Sequence, residues 1–257
     1  MIKVSLTCLL LLPFTLLATG PWIKEKRTGY TLAYTEADKT EKDVYAAMVD
    51  NGIKTVQTFF GGKFKTEFEV WIYPNRLAIE AQWQKDWNLP DFKSECWMVA
   101  SGVATKLDLI APKAWDKESC EHKYADKPKV QQLITHELVH VFHGQQNASP
   151  DFSDVAGIDW LVEGLATYAA GQLDESRLAE LHKAIGANAT PATLDKFWTG
   201  KFKYGLSGSV AWFIDKRYGR ARLKQLLAYN KLDDVLQALN TTESDLLRDW
   251  KKFVLSN

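Results

Sequence analysis

The sequence has little cysteine: three in 257 residues, Cys8, Cys96 and Cys120. That excludes a disulfide-dense miniprotein. It lacks an excess of either charge, with 32 Lys+Arg against 32 Asp+Glu. No whole-protein field therefore draws the chain to nucleic acid or to an anionic membrane. Only one long apolar run is present, at the N-terminus, which excludes a polytopic membrane protein. No repeat, low-complexity tract or long Pro/Gly/Ser linker interrupts the rest. What is there, 46% hydrophobic and 25% charged residues, is the composition of an ordinary globular protein.

The chain opens MIKVSLTCLLLLPFTLLATG. Lys3 supplies a short positive n-region, residues 4–17 are apolar, and Ala18-Thr19-Gly20 offers small residues for cleavage. This is the pattern of a secretory signal peptide over 1–20. The competing reading is an uncleaved anchor, but the run is shorter than the roughly 20 residues of a span. Pro13 also interrupts it, and Thr7 before Cys8 disfavours lipid attachment. The expectation is one mature domain over 21–257, secreted or periplasmic, with no membrane contact after cleavage. Cys96 and Cys120 are then the remaining cysteines, and an oxidising compartment favours pairing them over leaving two buried thiols. Closing that loop adds roughly 3.5 kcal/mol on the chain-entropy account. Neither cysteine lies in CxxC, which argues against a redox role.

Local patterning predicts an α+β fold: a small mixed sheet with helices first, then a helical C-terminal half. Strands are predicted at 30–34 (YTLAY) and 68–73 (FEVWIY), with one or two more in 97–111 and a turn or bulge at Gly102. Helical spacing covers 43–60, ended by Gly61-Gly62, and 76–87. Beyond residue 125, helices are predicted at 130–143, 160–173, 175–184, 205–218, 220–229, 232–239 and 243–255, the last capped by Thr242. Ten tryptophans in such a chain are read as core rather than as a sugar-stacking surface.

The chemistry is carried by LITHELVHVF, which contains His136-Glu137-Leu138-Val139-His140. On a helix, positions i and i+4 share a face, so both imidazoles can reach one metal ion. Glu137 is rotated by about 100° and can stand beside the metal's open position, placed to take a proton from water. Uncharged neighbours keep the helix buried and the ligands stiff. A catalytic zinc site needs a third protein ligand. The next helix, opening Trp160-Leu-Val-Glu163-Gly164-Leu-Ala-Thr-Tyr168, offers Glu163, with Gly164 and Ala166 small enough to let helix backbones approach. His143, seven positions after His136, lies about 10 Å further along the axis and is poorly placed to ligate. It is read as a helix-end or cleft-lining residue. His122 and His182 have no evident partners. Asn147, Asn188 and Asn240 begin glycosylation sequons, which matter only in a eukaryotic source.

HELVH followed by WLVEGLATY resembles the gluzincin zinc metallopeptidases, closest to the aminopeptidase-N-like and small peptidase MA-like branches. The stretches 100–104 with 106–110, and 204–214 with Arg217-Tyr-Gly219, resemble that group more loosely, so the likeness covers nearly the whole mature chain. The resemblance implies a single zincin-like domain over 21–257 holding one catalytic zinc on His136, His140 and Glu163. It implies Glu137 as general base and Tyr204 as oxyanion donor, with Tyr168 in reserve. The substrate is a peptide or protein, laid along the strand near 99–110. Two departures stand out. Val162 replaces the usual Asn, and SGVAT occupies the region of the Gly-x-Met-Glu-Asn element that binds a free N-terminus. Both favour an endopeptidase over an aminopeptidase. The 22 residues between His140 and Glu163 carry an insertion, GQQNASPDFSDVAG, expected at the rim of the site. Two alternatives stay open: a non-catalytic binding domain on the same scaffold, and a zinc hydrolase of a non-peptide bond.

Overall fold

Alternating apolar residues in the first half assemble into one five-stranded sheet. The computed structural model describes residues 21–257; the signal peptide expected over 1–20, with Cys8, lies outside the described residues. The strands are β1 (Ile23–Lys26), β2 (Tyr30–Tyr34), β3 (Phe68–Tyr73), β4 (Ala100–Val103) and β5 (Lys106–Ile110), in the order β1-β2-β3-β5-β4. The two inner pairings are parallel and the two outer ones antiparallel. Parallel neighbours need crossovers. α1 (Lys42–Phe60) supplies the first, and α2 (Arg76–Asp86) the start of the second. α1 ends where Gly61 takes up a left-handed conformation with φ 60°. Asn75 caps α2 by accepting the Ala78 N–H at 3.0 Å.

β1 was not foreseen. Three of its four residues, IKEK, are charged and two are exposed, as befits an edge that must not recruit other strands. Gly102, expected at a turn, lies inside β4; the turn to β5 falls at Ala104-Thr105 instead. β4 pairs with β5 alone, leaving its outer edge open on the side that faces the helical half.

The helices follow: α3 (Trp115–Glu118), α4 (Lys127–Gly144), α5 (Asp159–Ala169), α6 (Glu175–Gly186), α7 (Lys203–Tyr218), α8 (Arg220–Gln225), α9 (Leu232–Leu239) and α10 (Glu243–Ser256). Asp126 caps α4 through the Lys129 N–H, with Pro128 in the first turn, where its missing donor costs nothing. Thr242 caps α10 as expected. α5 ends four residues earlier than its apolar pattern suggests, because Gly171 turns the chain with φ 70°. None of these helices is long and apolar enough to cross a membrane.

One continuous apolar core runs from Leu32, Val70 and Leu107 of the sheet, through Leu138 of α4 and Leu165 of α5, to Val210 and Trp250. Four tryptophans, Trp83, Trp115, Trp160 and Trp250, are fully buried in it. Cys96 and Cys120 are joined, with Cα atoms 5.5 Å apart. Arg76 fastens the same two segments without covalent bonds. Its guanidinium donates to Ser94 Oγ (2.6 Å) and to the carbonyls of Glu95 (3.0 Å), Cys96 (3.0 Å), Met98 (2.8 Å) and Glu118 (3.1 Å). The irregular stretch before β4 thereby finds partners that no ladder supplies.

Candidate metal centre and its cleft

α4 and α5 pack together and turn three donors toward one point. His136 and His140, one turn apart on α4, bring their Nε2 atoms to 3.1 Å. Glu163 Oε2 on α5 lies 3.3 Å from the first and 3.6 Å from the second. Ligand atoms at about 2.0–2.1 Å from a tetrahedral ion stand roughly 3.3 Å from each other. The three separations therefore match one coordination sphere, and this group could hold a metal ion. The proton inventory agrees. His136 Nδ1 is 2.8 Å from the Gln172 side-chain oxygen, so Gln172 can accept its N–H and leave Nε2 as the donor to a metal. Both imidazoles are 6% exposed. Bare nitrogen and carboxylate lone pairs so close, with so little water, call for a cation between them.

Charge is distributed accordingly. Burial alone would raise the Glu163 carboxyl, but His140 and His136 outweigh it and hold the group well below the usual carboxylate range. Glu137 behaves oppositely. Burial pushes it up to about 7, Glu163 reinforces this, and His136 and the Gly102 N–H oppose it. One carboxyl is thus held in its charged form while its neighbour is pushed toward neutrality.

Close backbone approaches set these positions. A Cβ on Gly102 of β4 would collide with the Glu137 carbonyl, so the edge strand lies directly against the metal-facing helix. A Cβ on Gly164 would collide with the Ser207 carbonyl of α7. The small residue beside the third donor therefore admits α7, and not α4, to close contact.

The cleft runs along β4. One part, of about 410 Å³, is lined by Ala100, Gly102, Val103, Glu137, His140, Phe152, Glu163 and Trp198. A smaller part of about 120 Å³ continues past His136 to Leu133, Gln172 and Arg177. Phe152, from the insertion after α4, sits over the His140 and His143 rings at 6.0 and 5.0 Å. It holds a left-handed backbone (φ 60°), costly for a bulky residue and in keeping with a constrained rim.

Tyr204 lies in the first turn of α7 rather than ahead of it, its ring 6.5 Å from that of His136. Burial, with Glu163 and Glu137 nearby, raises its pKa, so the phenol keeps its proton. Tyr168, the reserve, is committed elsewhere: its hydroxyl donates to Asp215 Oδ2 at 2.8 Å, beside the Asp215–Arg220 pair. His143 is not a helix-end residue in water. It is fully buried, neither ring nitrogen reaches a hydrogen-bond partner, and burial and then His140 lower its pKa to about 3. His122 and His182 do have partners, the carbonyls of Trp97 (3.1 Å) and Val254 (2.8 Å). The Asn147 sequon is closed to modification, its buried amide donating to the Leu227 and Tyr229 carbonyls. The insertion expected at the rim does reach it, through Phe152, which sequence reasoning had not singled out; it missed Gln172 and Arg177. Each comes from a loop or helix with no local motif, and only tertiary packing brings them to the centre.

No known family matches the chain, and neither does any curated protein.

Proposed function

We propose that the protein is a zinc-dependent metallopeptidase of the gluzincin type on a zincin-like domain, acting outside the cytoplasm once its leader is removed. The convergence of His136, His140 and Glu163, with separations of 3.1 to 3.6 Å, beside a carboxylate raised toward neutrality carries this reading. Two imidazole nitrogens and one carboxylate, leaving a position for water, suit a catalytic zinc. Bound there, zinc supplies Lewis acidity that polarises a carbonyl and lowers the pKa of water toward about 7.

The chain's own residues do the rest. The open edge of β4 offers backbone N–H and C=O groups to an extended peptide, which adds itself as a strand. This places one peptide bond above Glu137. Glu137 takes a proton from the attacking water on its carboxylate and passes it to the departing amine. Tyr204, kept protonated, donates its O–H to the oxygen that gains charge as the carbonyl is attacked. Gln172 holds His136 in one tautomer and one orientation. Phe152 and Trp97 narrow the cleft and thin the water around these groups.

Metal analysis and turnover together test the reading. About one zinc per wild-type chain is expected, falling sharply in Glu163→Ala and His140→Ala. Glu137→Gln should keep its zinc and lose about 10²–10⁴-fold in turnover of a peptide library. A wild type that binds no zinc after reconstitution, or a Glu137→Gln variant as active as wild type, overturns it. Cleavage of esters but of no peptide would favour hydrolysis of a different bond.

A further inference from the structure

The space beyond the metal-facing group widens, past Arg177, into a second compartment of about 290 Å³ lined by Trp97, Glu121, Glu180 and the segment 201–205. Trp97, Glu121, Arg177 and Tyr204 line both this compartment and the one touching His136, so the two are continuous. Five charged side chains border the outer compartment: Arg177, Lys201 and Lys203 against Glu121 and Glu180. Among the described residues, none of these cations pairs with either acid.

Their depths differ in a way that decides the sign. Glu121, Glu180 and Lys201 are exposed, whereas Arg177 and Lys203 are half-buried. Water and salt screen the exposed charges, so the two half-buried cations dominate the interior. The Lys203 ammonium lies over the Trp97, Trp198 and Tyr204 rings at 4.5, 4.7 and 5.3 Å, without a carboxylate partner. Arg177 donates one Nη1 bond to the Gln172 carbonyl, and its other N–H groups have no partner among the described residues. A guanidinium fixed at one corner and free along its remaining edge is shaped to receive a carboxylate. The opposite part of the cleft has no such cation. No Lys or Arg lines it, and its Asp151 and Asp159 are exposed and screened like Glu121 and Glu180.

Resting on the peptidase reading above, we propose that this cleft selects peptides that place a carboxylate on the Arg177–Lys203 side of the bond to be cut. The carboxylate is either an acidic side chain or the peptide's own C-terminus. The Arg177 guanidinium carbon is 5.3 Å from the Tyr204 ring, itself 6.5 Å from the His136 ring. An extended chain rises about 3.3 Å per residue, so the carboxylate lies roughly one to three residues from that bond. With no Lys or Arg along the other end of the cleft, the peptide is oriented with its carboxylate toward Arg177.

Fluorogenic decapeptides with Glu, Gln or Lys at each of three positions on either side of the cleaved bond, each as C-terminal acid and amide, test this on the zinc-loaded protein. Wild type is expected to prefer Glu over Gln, or acid over amide, by about tenfold or more in kcat/KM, on the Arg177 side only, and less at high salt. Which of the two pairs shows the preference identifies the source of the carboxylate. Arg177→Met and Lys203→Gln should bring that ratio toward one, each ratio being read within a single variant. The binding arm uses Glu137→Gln and tryptophan fluorescence. The carboxylate-bearing peptide should bind about tenfold tighter than its neutral twin, and Arg177→Met should erase the difference. Peptides cut with no preference for the carboxylate overturn this proposal and leave the peptidase reading intact. Failure to cut any peptide overturns the peptidase reading; the carboxylate site then stands or falls with the binding ratio in Glu137→Gln.

Discussion

The two helices that face the metal position are anchored by opposite parts of the molecule. α4, carrying His136, Glu137 and His140, lies against the sheet through Gly102. α5, carrying Glu163, lies against α7 through Gly164. The device is shared, a glycine where two backbones meet, but what it fixes differs. On the sheet side it sets the height of the edge strand over Glu137, hence the placement of a substrate. On the helical side it sets the reach of Glu163, hence the closure of the coordination sphere. On the proposed reading, a metal and a peptide would be held from separate walls of the same cleft.

Replacing the two glycines should pull these roles apart. Gly164→Val forces a branched side chain against the Ser207 backbone, and a loss of about 3 kcal/mol or more in denaturant-monitored stability is expected, with weakened zinc binding. Gly102→Val meets the Glu137 backbone just as hard, so a comparable loss of stability is expected, with peptide turnover falling further than zinc affinity. Equal loss of zinc in both variants would break the comparison.

Gln172 crosses the divide, since it follows α5 but orients a ligand on α4. Gln172→Ala should weaken zinc about 10–100-fold, while Gln172→Glu, which keeps an acceptor, should recover most of it. Titration with a competing chelator measures both.

His143 has no counterpart on α5, and it makes α4 the acid-sensitive wall. Its buried imidazole stays neutral down to about pH 3, while the unfolded chain takes up a proton near the ordinary value of 6.5. Proton uptake therefore favours unfolding as pH falls below 6.5, by about 1.4 kcal/mol per pH unit until the lower value is reached. His143→Leu should remove that slope and leave stability at pH 8 little changed. Stability curves of equal slope for the two proteins between pH 6 and 4 would show that the imidazole is hydrated in the folded state.

Much of this arrangement was legible in the sequence because it is local. The i, i+4 spacing of His136 and His140 needs only a helix, and Pro128, Asp126 and the apolar run supply one. Glu163 was legible because it follows within one further helix. The α+β layout came from alternation at 30–34 and 68–73 and from glycine stops such as Gly61. What escaped was non-local or conformational. Gln172 is 36 residues from His136 and marked by no motif. Phe152 owes its place to a backbone state that its own residue type disfavours. β1 is too short and too charged to register as a strand. Gly102 looked like a turn because its lack of a side chain is needed by a neighbouring helix rather than by its own chain.

Arg76 carries a consequence for how the molecule is made. Its guanidinium holds the carbonyls of Glu95, Cys96, Met98 and Glu118 around one centre, so it gathers both segments that bear the cysteines. That gathering depends on hydrogen bonds alone and is available to the reduced chain. Folding can thus precede oxidation and bring the two thiols together, and the covalent link then records a geometry already reached. An arginine thus gathers the two segments without any need of oxidation, and the cysteine pair acts as the lock.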